Sequence, residues 1–280
     1  MNAGSLSFPA PAKLNLMLRV VGRRADGYHL LQTVFRFIDY GDTLGFKVRD
    51  DGAIARGNAV AGVAAENDLC VRAARLLQQA AGTALGADIT LEKRLPLGGG
   101  LGGGSSDAAT TLLALNHLWR TRLSRSRLLA LALELGADVP VFVFGDNAFA
   151  EGVGERLTAI SLPPAWYVVL TPPVTVSTAG VFAHPELKRD SKTITIQSFS
   201  VEAAGNDLQP LVCREYPEVA RHLEWLGRFA PAMMSGSGAC VFAGFASESA
   251  ARGVLAGLPG DMRGFAARGL ERHPLRDLAH

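Results

Sequence analysis

"LPLGGGLGGGSSDAATTL", Leu95 to Leu112, places six glycines in a seven-residue run and passes at once into residues suited to a helix. Glycine costs about 0.5–1 kcal/mol where regular structure is wanted, so a run this dense marks a place that needs bare backbone. The preceding "ADITLEKRL" reads as a short strand, and a helix is predicted to begin near Ser105 and pass through Leu112, Leu113 and Leu115. Strand, glycine turn and helix start together make an anion site. The first N–H groups of a helix lack internal partners and carry the positive end of the macrodipole. Phosphate is the usual guest.

Two familiar phosphate loops do not fit. A P-loop matches from Gly99 to Gly104, but Ser105 stands where its lysine belongs. Gly98, Gly100 and Gly103 satisfy GxGxxG, yet the acidic residue that should follow about 20 residues later is missing from "NHLWRTRLSRSR". Neither a Walker NTPase nor a nicotinamide dehydrogenase is indicated.

Outward from the glycine run, Leu14, Leu16, Leu18 and Val20 alternate with Lys13, Asn15, Met17 and Arg19 at strand period, which puts Lys13 and Asn15 on one face. "RADGYH" is predicted to turn the chain, and "TVFRFI" and "TLGFKVR" to form two strands joined by a turn at Gly41-Asp42. A helix is predicted over "NDLCVRAARLLQQAAG", capped by Asn67 or Asp68 and ended by Gly82, and another over "RSRLLALALELG", capped by Ser124. "ADVPVFVFG" is predicted to leave helical geometry at Pro140. The strand "WYVVL" lies between two double prolines, and a helix, two strands, a small helix and a last strand follow it. The polar stretch "KRDSKTITIQSFS" is predicted to be an exposed, mobile loop. This alternation predicts an α+β or α/β sandwich.

The 280 residues carry a net charge of only +2 with scattered basic residues, which argues against a nucleic-acid surface. Cys70, Cys213 and Cys240 are far apart, without a CxxC pair, and read as buried thiols in a reducing compartment. The histidines form no ligand cluster. The N-terminal segment does not read as a signal peptide, and prolines break the uncharged stretch from Leu157 to Pro185, so a cytoplasmic protein without a membrane span is expected.

"PLGGGLGGGSSDAA" resembles the central phosphate-binding motif of the GHMP kinases, the family of galactokinase, homoserine kinase and mevalonate kinase, which cradle ATP without a Walker lysine. "PAKLNLMLRVVGRRADGYHLLQTVF" (9–35), "GADVPVF" (136–142) and "SGSGACVF" (235–242) agree with it. The resemblance implies an N-terminal α/β nucleotide-binding domain over 1–161 and a C-terminal ferredoxin-like α/β sandwich over 162–280, with the active site between them. It implies ATP with Mg2+ as cofactors, no nucleic-acid or membrane partner, and a monomer or homodimer. The two glycine triplets and paired serines point to the member whose substrate is a cytidyl diphosphate sugar alcohol. A homoserine- or mevalonate-type kinase, or a non-catalytic nucleotide-binding relative, are the alternatives.

By this resemblance Lys13 and Asp138 are the catalytic pair, Asp138 as general base and Lys13 stabilising the transferring group. ATP would be held by Pro96, Leu97, Gly98, Gly99, Gly100, Leu101, Gly102, Gly103, Gly104, Ser105 and Ser106, with Lys93 nearby and Ser105 or Ser106 toward the metal. Asn15, Tyr28, His29, Phe182, Gly236 and Gly238 are the substrate candidates, Tyr28, His29 and Phe182 around the cytosine. Asp68 departs from the asparagine that related sequences often place near adenine.

Overall fold

Strands β1 (Leu6–Arg23) and β2 (His29–Arg49) form a long antiparallel ribbon that joins the two halves of the molecule. The computed structural model describes residues 5–58, 68–201 and 204–279. The turn expected at Gly41-Asp42 does not form, because both predicted strands are one strand paired with β1 along its length. Gly41 lies hard against the backbone of Ala10 and Pro11, and the Asp42 carboxylate is taken by the N–H groups of Arg94 and Leu95. Glycine serves close approach here, and aspartate anchors another segment.

The other edge of β2 pairs with β5 (Ala148–Gly152) near one end and β4 (Gly86–Glu92) near the other. β3 (Ile54–Arg56) extends the sheet beside β4, and β6 (Arg156–Ala159) beside β5. Helices α1 (Leu69–Ala81), α2 (Gly103–Leu118), α3 (Arg125–Leu135) and α4 (Val139–Phe144) share a core with this sheet, built around Phe37, Phe46, Leu77, Leu112 and Phe142. Two helix starts agree with the sequence reading. Asp68 accepts from Cys70 N and Val71 N, and the Ser124 hydroxyl accepts from Arg127 N. Asn67 lies outside the described residues.

Pro140 does not end helical geometry as expected. It falls in the first turn of α4, where a missing N–H removes no helical bond. Asp138 therefore stands at the N-terminal end of that helix.

The second sheet has the order β10-β7-β9-β8, from β7 (Trp166–Leu170), β8 (Ala232–Met234), β9 (Val241–Phe245) and β10 (Gly264–Arg268), all antiparallel. Alternation along β7 sorts its faces. Val168 and Leu170 pack with Val181 of α5 (Thr178–Ala183), Val212 of α6 (Gln209–Glu215), Leu226 of α7 (Pro217–Gly227) and Val254 of α8 (Glu248–Ala256). Tyr167 and Val169 instead meet Leu14, Leu16, Val34 and Phe149, so an apolar core runs between the two sheets.

The stretch 188–200 is held rather than loose. Ser191 N donates to Val20 O, Gln32 exchanges two bonds with Ile194, and Ile194, Ile196 and Phe199 pack on the core between the sheets. The C-terminal tail returns to the first sheet, where Leu270 N bonds Phe37 O and Leu275 and Ala279 join the first core. Among the described residues no helix is long and apolar enough to cross a membrane.

Candidate active site

Helix α2 starts two residues before the expected Ser105. Its cap position is Gly102, left-handed at φ 71°, and no side chain caps the end. Ser106 N already bonds Gly102 O. The N–H groups of Gly103, Gly104 and Ser105 thus precede the helical ladder and are available to an anion.

The glycine run is fastened to the second half of the chain. Cys240 N donates to Gly99 O at 3.1 Å, and the Ser235 hydroxyl to Gly100 O at 2.9 Å. Gly100 has φ +74°, and a Cβ there would strike the Ser235 carbonyl. Asn206 Nδ2 fixes the opposing loop by donating to Met234 O and Gly236 O. A cleft of about 340 Å3 opens beside this junction, lined by Lys13, Asn15, Gly98, Gly100, Ser105, Asp138, Phe182 and Gly236 among others.

Lys13 and Asn15 share a face, as the strand period requires. The outer edge of β1 is covered at this point: Lys13 N bonds Leu101 O and Asn15 N bonds the Ser235 hydroxyl. The Lys13 ammonium donates to Asn15 Oδ1 at 2.5 Å and to Gly100 O at 3.0 Å, and lies 3.2 Å from Asp138 Oδ2. It also stands 5.5 Å from the Phe35 ring centroid. Asn15 is oriented in turn by donating to the Thr33 hydroxyl, which donates to Met17 O.

Two expected ATP residues face inward. The Ser106 hydroxyl is buried and donates to Pro11 O, whereas Ser105 lines the cleft. Lys93 sits under the glycine turn between two carboxylates, 2.5 Å from Asp42 and 2.9 Å from Asp107. Burial pushes the Asp107 carboxyl up to about 7 despite the Lys93 charge. Burial opposes the Lys93 ammonium, but its carboxylates prevail and its pKa is raised. Sequence reasoning read Asp42 as a turn residue and gave Asp107 no part in the site, although "SSD" had placed the latter next to the loop.

His29 packs against Phe182, which lines the cleft, with ring centroids 5.0 Å apart. Arg189 organises them: its Nε donates to His29 Nε2 at 3.0 Å, and its Nη2 to Phe182 O and His184 O. Desolvation and the charges of Arg189 and Arg23 lower the His29 pKa. Tyr28 is 64% exposed, and Leu97 is 50% exposed. Gly238 adjoins Met234 and Val176 rather than the cleft. Asp68, the departure near the adenine region, is paired with Arg56 at 2.7 Å. Arg189 and Ser235 gave no period or spacing of their own; Ser235 lay within the quoted "SGSG".

Known proteins match this chain along nearly its whole length. The GHMP kinases N terminal domain matches residues 68–146 and the GHMP kinases C terminal domain residues 193–263. A 4-diphosphocytidyl-2-C-methyl-D-erythritol kinase from Nitrosospira multiformis is 64% identical, covering 98% of this chain and 94% of that protein. One from Thiobacillus denitrificans is 64% identical, covering 98% of each. A crystal structure of 4-(cytidine 5'-diphospho)-2C-methyl-D-erythritol kinase superposes with a TM-score of 0.83 at 36% identity, over 94% of this chain and 99% of that one. Methanococcus jannaschii mevalonate kinase shares the fold, with a TM-score of 0.69 at 16% identity over 96% of this chain and 100% of its own. The chain belongs to the 4-diphosphocytidyl-2-C-methyl-D-erythritol kinases of the GHMP kinase family.

Proposed function

We propose that the protein transfers the γ-phosphoryl group of ATP to the 2-hydroxyl of 4-diphosphocytidyl-2-C-methyl-D-erythritol, in the non-mevalonate route to isoprenoid precursors. The observation that carries this reading is the Lys13–Asp138 pair, 3.2 Å apart in the cleft that also receives the glycine turn. Phosphoryl transfer passes through a loose transition state, so positioning and charge stabilisation carry most of the catalysis. The free N–H groups at the start of α2 hold the triphosphate. Asp138, open to the cleft, accepts the substrate hydroxyl proton.

Lys13 uses its three N–H donors on Asn15, Gly100 and Asp138. When Asp138 turns to the hydroxyl, one donor is released toward the charge on the transferring group. A magnesium ion bound with the triphosphate would neutralise its negative charge. Asp138 and Ser105, both lining the cleft, would hold the ion, and among the described residues no three or more His, Cys, Asp or Glu gather into a metal cluster. That donor set suits a metal held largely by phosphates and water. Cytosine stacks against the His29–Phe182 pair, with Tyr28 free to close over it.

The test is a kinase assay measuring ADP release with this substrate, mevalonate and homoserine, with the phosphorylated position read by 31P NMR. Turnover confined to the cytidyl substrate supports the reading, and faster turnover of mevalonate or homoserine overturns it.

A further inference from the structure

Arg36 is the residue of β2 next to Phe35, and successive residues of a strand point to opposite faces. Phe35 lies beneath Lys13, and Arg36 points to the other side of the ribbon. Its side chain is 1% exposed, and its Nε and Nη1 have no hydrogen-bond partner. A guanidinium does not shed its proton to relieve burial, so an unpartnered one is strongly unfavourable. Its position is set by packing. Gly269 crosses directly over it, and a Cβ on Gly269 would fall on the guanidinium.

Arg36 forms part of the lining of a cavity of about 400 Å3 between the two halves of the chain. Arg268, Arg272 and Glu271 come from the end of β10 and the tail, and Trp166 from the start of β7. Arg268 is loosely engaged, with Nε 3.6 Å from Asp39 at the rim. Three guanidiniums thus face one lining carboxylate, Glu271, which acts on Arg36 through space without a hydrogen bond.

We propose that this cavity is an anion site, separate from the catalytic cleft, that takes a phosphate-bearing small molecule through Arg36, Arg268 and Arg272. Planar N–H forks match phosphate oxygens in pairs, and the uncompensated charge of the buried Arg36 guanidinium adds to the attraction of an anion. The volume exceeds that needed by orthophosphate and suits a diphosphate or a small phosphorylated metabolite. Glu271 competes for the same donors and keeps the site selective for strong anions. Occupancy ties β2 of the first half to β10 of the second.

The test is calorimetric titration of the full chain with inorganic pyrophosphate, without added magnesium and with a non-hydrolysable ATP analogue saturating the glycine turn. One binding event should persist with the analogue present. Arg272→Gln, at an exposed position that folding tolerates, should weaken it by about tenfold, the usual effect of losing one charge-assisted bond. Glu271→Gln should tighten it, and Arg36→Gln should abolish it. Absence of binding, its loss when the analogue fills the glycine turn, or equal affinity in Arg272→Gln and Glu271→Gln would overturn the proposal.

Discussion

Lys13 Nζ lies 3.2 Å from Asp138 Oδ2, and the two side chains differ sharply in exposure, 2% for the lysine and 39% for the aspartate. The buried partner is fixed by Asn15 and Gly100, so the exposed one is free to meet a substrate. Asp138→Asn keeps the shape but removes the basic oxygen. We expect turnover to fall by about 10²–10⁴-fold, the usual worth of a positioned acid–base group, with the KM for ATP little changed. Steady-state kinetics decide it; turnover close to wild type removes Asp138 as the base.

Gly100 joins the halves of the molecule within the glycine turn proposed to hold phosphate. Its φ of +74° disfavours any side chain, and its Cβ would meet backbone, which has no room to yield. Gly100→Ala should weaken ATP binding and lower the melting temperature together. Gly253→Ala is the control: it lies in α8, with nothing within 4 Å of its Cβ. That change should stabilise the protein by about 0.5–1 kcal/mol and leave ATP affinity unaltered. An ATP affinity unchanged in Gly100→Ala would place the phosphates elsewhere.

How far these features could be read in advance depended on whether the cause was local. The caps at Asp68 and Ser124 and the Gly82 end of α1 obey rules spanning a few residues, and they were legible. Gly41-Asp42 carries a turn signature, yet its glycine answers to Ala10 and its aspartate to Arg94, both distant in sequence. Pro140 carries a stop signature that becomes a start signal once a helix begins at Val139. Lys13 and Asp138 were found through motifs. The partners that hold the site, Ser235, Asn206 and Arg189, act through bonds to residues distant in sequence, which leave no periodic trace.

His273 connects the tail to the helix that carries Asp138 at its start. Its ring packs edge-on to Phe37 and Phe142, and burial pushes its pKa from 6.5 down to about 3. Between those two values the unfolded chain binds a proton that the folded chain refuses. Stability from this group is therefore full above the unfolded value and is lost as pH falls below it, by about 1.4 kcal/mol per pH unit. His273→Asn should flatten that acid dependence, measured by urea unfolding at neutral and mildly acidic pH. Parallel pH profiles for the two proteins would show that His273 does not titrate on unfolding.

Glycine turns and a catalytic aspartate serve kinases of very different alcohols, so substrate choice must come from another part of the site. The contacting rings of His29 and Phe182 offer a stacking face and polar ring atoms, and Arg189 holds both residues. Because His29 Nε2 accepts from Arg189, its proton resides on Nδ1 and is available to a base edge. Each stacked base is worth about 1–3 kcal/mol against alanine. We expect His29→Ala and Phe182→Ala to raise the KM of the cytidyl substrate at least about tenfold, with the KM for ATP little changed. Tyr28→Ala should do the same if the exposed ring closes over the base. The uridyl analogue should be a poor substrate, since its ring edge reverses the donor and acceptor that cytosine presents. The lowered pKa of His29 adds a pH signature. Substrate KM should stay flat above neutrality and rise only on acidification, when protonation breaks the Arg189 bond. Equal use of the two analogues, or normal KM in both His29→Ala and Phe182→Ala, would mean that the base is read elsewhere.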